Sequence, residues 1–130
     1  MSCIAFNKDG RAYSGNSLGN LITWKENYIS EIKTKLHKDV IDTIKLSSSF
    51  VITGGRDMKV HVLDILDLKS LFTIDLNTNE FNSVCGKPRA IDVNETTKQI
   101  IIGTYGCEIY KVEYKNKVVM DVKMITSGHY

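Results

Sequence analysis

A chain of 130 residues, 42% of them hydrophobic, is long enough for one domain with a real core. The net charge of +2 comes from 17 basic and 15 acidic residues of mixed order, which argues against a nucleic-acid surface. No apolar run approaches the about 20 residues of a membrane helix, and the start "MSCIAFNKDG" lacks the plan of a signal peptide, so no membrane partner is expected.

Helical periodicity is almost absent. Short alternating segments recur instead, each bounded by Gly, Asn, Asp or Ser, and they read as strands. In chain order they lie near 2–6, 11–15, 20–25 and 28–33, then 40–46, 50–54, 59–64 and 70–76. The last group lies near 89–94, 99–104, 107–113 and 118–125. Cys3, Cys85 and Cys107 are odd in number and lack CxxC spacing, so neither a disulfide nor a zinc site of that kind is expected. Reduced thiols fit a cytoplasmic protein.

The strands repeat in fours. "AYSGNSLGNLITWK" aligns with "VITGGRDMKVHVLD" and with "IIIGTYGCEIYKVE", anchored on Gly15, Gly54 and Gly103 at separations of 39 and 49 residues. Units of about 40 residues built from four strands are propeller blades. The predicted fold is therefore all-β, with about three four-stranded antiparallel blades: 1–36, 37–76 and 88–126. A polar loop at 77–87 takes up the extra length of the third unit, and 127–130 starts a further repeat. Closed propellers have about four to eight blades. The chain is accordingly expected to be part of a propeller, a fragment or a subunit. The remaining blades would come from the same parent chain or from another copy.

The second unit resembles the WD-repeat family. That family's pattern has a histidine before the first strand, Ser/Thr-Gly at the end of the second, an Asp in the next turn and Trp-Asp closing the third. The matching positions are His37, Thr53-Gly54, Asp57 and Leu63-Asp64. The resemblance implies a structural clamp of His37, Thr53 and Asp57, in which a charge-assisted network pins the turn to the loop entering the blade. The first unit has Trp24 at the tryptophan position and Leu18 in place of the Asp. The third has Gly106 and Val112 there. Their turns are expected to be looser, and Trp24 to be a core anchor.

A narrower resemblance is to the echinoderm microtubule-associated protein-like family. It rests on "KPRAIDVNETTKQIIIGTYGCEIYKVE" and "CIAFNKDGRAYSGNSLGNLITWK". It implies tubulin or microtubules as the protein partner, with a cytoplasmic, cytoskeleton-associated location. The alternative is a set of scaffold blades in an unrelated WD-repeat assembly, such as a ubiquitin-ligase receptor or trafficking complex.

No catalytic, cofactor or metal residues are assigned. Nucleophilic chemistry would need a Ser or Cys with a His and an acid. His37 and His129 are taken up by the repeat pattern, and His61 reads as an inter-blade or rim residue. "SLGN" and "TGGR" open no helix that could cradle phosphate. The expected function is a non-catalytic interaction module. Partner contacts are expected from exposed residues in and beside the turns between second and third strands: Leu18, Lys38, Arg56, Met58 and Tyr105.

Overall fold

Among the residues described by this computed structural model, which are 3–7, 10–25, 28–33, 35–77 and 87–127, the alternating segments form twelve strands. These are β1 (Cys3–Phe6), β2 (Arg11–Gly15), β3 (Leu21–Lys25) and β4 (Tyr28–Lys33), then β5 (Ile41–Leu46), β6 (Phe50–Gly55), β7 (Lys59–Asp64) and β8 (Ser70–Asp75). The last are β9 (Pro88–Asn94), β10 (Gln99–Thr104), β11 (Glu108–Lys115) and β12 (Val118–Ser127). Each group of four makes one antiparallel sheet in chain order. β12 runs through Ser127, two residues beyond the strand expected near 118–125 and one beyond the expected end of the third blade. Most of the predicted loop (78–86), Cys85 and the start of a further repeat (128–130) lie outside the described residues.

The first strands β1, β5 and β9 lie side by side, so the sheets fan out from that line. The second sheet is covered on both faces. Along β6 and β7, Phe50, Ile52, Val60 and Val62 point one way. They meet Ile91, Ile100, Ile102, Tyr110 and Val112 of the third sheet. Val51 and Leu63 point the other way and meet Tyr13 and Leu21 of the first sheet. This is the period of two made visible: a strand packed on both sides reads as a near-continuous apolar run. Every residue of "FVITGG" in β6 is buried. Polar contacts also tie the second and third sheets: Lys117 Nζ to Asp64 Oδ2 at 3.0 Å, Lys45 Nζ to Asp92 Oδ1 at 3.5 Å, and the Ser48 backbone N–H to Glu95 Oε2 at 3.0 Å.

The two outer sheets differ in the face they leave open. In the first sheet, register puts Ile4, Phe6, Ala12, Ile22, Trp24, Ile29 and Ile32 on the side away from Tyr13 and Leu21. Phe6 is 70% exposed, and Ile4, Ile29 and Ile32 are also exposed. The open face of the third sheet carries Ile101, Ile109 and Val118 beside two ion pairs, Lys111–Glu113 at 3.3 Å and Lys123–Asp121 at 3.6 Å, and Met120 and Ile125 of β12 are exposed. Ile100 and Ile102 point inward. Trp24 is thus not a core anchor. It lies on the open apolar face, half-buried, and its indole N–H donates to Ser14 Oγ at 2.8 Å.

An apolar face of this kind favours association. The chain should bind a hydrophobic dye and self-associate in sedimentation. Phe6→Asp with Ile32→Asp should reduce both, and Met120→Asp on the third sheet should do so much less. Equal effects would mean that the two open faces do not differ in the way described.

Candidate functional site

Three turns recur at one rim of the molecule, between β2 and β3, β6 and β7, and β10 and β11. In each, a residue with left-handed backbone donates its N–H to the carbonyl three residues earlier. The pairs are Gly19 to Asn16 (3.2 Å), Met58 to Gly55 (3.1 Å) and Cys107 to Thr104 (3.1 Å), with φ of 81°, 64° and 61°. This is the three-residue hairpin loop, a type I turn closed by one left-handed residue. Each turn also bonds to chain near the start of a first strand. The Arg56 N–H donates to Val40 O (2.9 Å) and the Tyr105 N–H to Lys87 O (3.0 Å). The Ile41 N–H donates to Asn16 O (3.2 Å), and the His37 N–H to Gly19 O (3.1 Å). The first two turns thus share the segment entering the second sheet, and the third turn is tied to the segment entering its own sheet.

The second turn is held by side chains as well. His37 is 1% exposed, in the segment entering the second sheet. Its Nδ1 bonds Asp57 Oδ1 at 2.9 Å, and its Nε2 bonds Thr53 Oγ1 at 2.7 Å. Asp57 also accepts from the Lys38 N–H at 3.0 Å and the Lys59 N–H at 3.2 Å. Burial opposes ionisation of Asp57. The His37 ring and the two backbone donors outweigh it, and the carboxyl is held below its usual value. Gly55 is required beside this network, because a Cβ there would run into the His37 ring and come within 2.8 Å of Asp57 Oδ1.

The other two turns use different groups. The Asn16 carboxamide oxygen accepts from the Leu18 and Asn20 N–H groups, both at 3.0 Å. The Thr104 hydroxyl accepts from the Glu108 N–H at 3.2 Å. The expected looser turns are thus anchored by a local Asn or Thr side chain, whose short polar arm replaces the missing Asp.

His61 belongs to the site and was missed in the sequence. It stands opposite Thr53 on β6 and Thr73 on β8. Its ring meets that of His37 edge-to-face at 4.6 Å, and its Nδ1 bonds Thr73 Oγ1 at 3.0 Å. Its Nε2 is buried with no hydrogen-bond partner. Burial first, then the neighbouring His37, push its pKa down to about 4. Only the register of three strands brings it to the clamp, so no local spacing could have signalled it.

Of the residues expected to be exposed, Leu18 (71%) and Tyr105 (54%) are, as are Lys38 and Arg56. Met58 is not. It is half-buried, at the left-handed position of its turn (φ 64°). Arg56 Nε is engaged by Asp42 Oδ1 at 3.2 Å, and the Arg89 guanidinium lies 5.8 Å from the centre of the Tyr105 ring.

No protein-family model matches this sequence, and no curated protein does. Solved structures do. The β-propeller domain of Cps50 (Swd1) from Myceliophteria thermophila superposes with a TM-score of 0.78 at 16% identity, over 97% of this chain and 37% of that one. The WD40 β-propeller domain of Doa1 gives 0.72 at 10% identity, over 95% and 40%. A chain in the mitotic checkpoint complex gives 0.71 at 16% identity, over 93% and 38%. The chain thus has the fold of consecutive WD40 propeller blades and spans about two fifths of the length of each of these neighbours.

Proposed function

We propose that the chain is a non-catalytic protein-interaction module, a run of three blades within a larger ring. The observation that carries this is the rim. Leu18, Arg56 and Tyr105 are exposed in three equivalent turns, each bonded through the backbone to a segment entering a sheet. Rigid strands holding variable turns on one rim make a surface that a partner can read without ordering it first. One neighbour in fold comes from a multi-protein complex, which supports a protein as the partner. Its open faces support further blades, from the parent chain or a second copy, as cover for the two outer sheets.

The finer reading takes tubulin or microtubules as the partner, with a cytoplasmic, cytoskeleton-associated location. Its support is the resemblance carried by "IIIGTYGCEIYKVE" and "AYSGNSLGNLITWK". The protein should then co-sediment with polymerised tubulin. Lys38→Glu with Arg56→Glu should weaken this several-fold, and Lys115→Glu at another turn should not. Lys117 is unsuitable as a control because it pairs with Asp64. Absence of co-sedimentation removes the microtubule reading and leaves the unrelated-assembly one. Equal loss from Lys115→Glu removes the assignment of the binding rim.

A further inference from the structure

The clamp uses one imidazole, one carboxylate and one hydroxyl, and it leaves the second imidazole unexplained. A buried ring nitrogen without a partner is uncommon in folded proteins and calls for a reason. We propose that His37, Asp57 and His61 form a binding site for a first-row divalent transition ion such as Zn2+, at the seam between the first two sheets.

One donor atom from each of the three residues lies within 4.8 Å of the others. Two imidazoles and a carboxylate suit Zn2+, Ni2+ or Cu2+, whereas Ca2+ and Mg2+ take oxygen ligands. The far side of each ligand is already held. His37 Nε2 bonds Thr53 Oγ1 at 2.7 Å, His61 Nδ1 bonds Thr73 Oγ1 at 3.0 Å, and Asp57 Oδ2 accepts from the Lys38 N–H at 3.0 Å. Such outer hydrogen bonds orient ligands and fix the tautomer that turns a lone pair toward the ion. The atoms left for an ion are His37 Nδ1, Asp57 Oδ1, which also accepts from the Lys59 N–H, and the unpartnered His61 Nε2.

The geometry is near what an ion needs. Ligand atoms around tetrahedral Zn2+ stand about 3.4 Å apart, so the widest gap here must close by at most about 1.4 Å while the 2.9 Å between His37 Nδ1 and Asp57 Oδ1 opens slightly. On binding, His37 takes the tautomer with its proton on Nε2, donated to Thr53 Oγ1, and the freed Nδ1 lone pair turns from Asp57 to the ion. The segment entering the second sheet stays tied to the turn, now with β7 as well. Three protein ligands leave a fourth position for water.

The test uses the whole chain after chelator treatment. Titration calorimetry with Zn2+ should show one equivalent bound, Co2+ should give a visible absorption band that Zn2+ abolishes, and Zn2+ should raise the melting temperature. His61→Leu should weaken binding at least about tenfold and abolish the Co2+ band. Thr73→Val, which frees His61 Nδ1, should weaken binding measurably with the fold intact by circular dichroism. No stoichiometric binding by the wild type overturns the proposal, as does wild-type affinity in His61→Leu. If His61→Leu does not fold, unchanged affinity in Thr73→Val overturns it.

Discussion

Asp57→Ala should lower stability by about 1–3 kcal/mol in a urea melt, seen as a lower midpoint with an unchanged slope. The carboxylate side chain is only 7% exposed, and it satisfies the Lys38 N–H, the Lys59 N–H and the His37 ring at once. Removing it leaves those donors without acceptors where water reaches poorly. Asp57→Asn keeps an acceptor oxygen and should cost less. His37→Ala should couple strongly to Asp57→Ala in a double-mutant cycle, since the two residues act through one bond. A melt unchanged by Asp57→Ala, or two variants whose effects simply add, would show that the entering segment is held by backbone contacts alone.

Gly19→Ala should cost still more, about 3 kcal/mol or above. Two penalties coincide there. The backbone sits at φ 81°, where a side chain is strained, and a Cβ would collide with the His37 carbonyl oxygen and stand 2.9 Å from Asp39 O. Both obstacles are backbone, which cannot swing aside as a side-chain tip would. Gly10 supplies the comparison. Its φ is 79°, but a Cβ there meets nothing within 4 Å, so Gly10→Ala should cost about 1 kcal/mol. Similar midpoints for the two variants would mean that the first turn does not rest on the entering segment as closely as the structure places it.

The strands were legible because their signal is local. Alternation and turn residues bound each one to within two residues, as in "KVHVLD" for β7 and "QIIIGT" for β10. The His37, Thr53 and Asp57 grouping was legible because a repeated spacing carried it. What stayed hidden depends on which face a residue takes and what lies across it. His61 reaches the clamp through two strand registers, and Lys117 reaches Asp64 from 53 residues away. Trp24 looked like a core residue because its type is usually buried. Its face is set by pairing with Ala12, on the side away from the second sheet. Met58 looked exposed because it sits in a turn, yet it is half-buried there.

Every sheet pairs its strands strictly in chain order, and this bears on events during synthesis. A hairpin forms in about 1–10 μs, whereas a ribosome adds about 5–20 residues per second. The first sheet has all four strands by Lys33, and the next runs from Ile41 to Asp75. Those further residues take about 2–8 seconds to appear. For that interval Tyr13 and Leu21 wait for Val51 and Leu63. The Tyr13 and Leu21 face of the nascent first sheet is therefore a place at which a chaperone would engage this chain, and the arrival of β6 and β7 is the event that would release it.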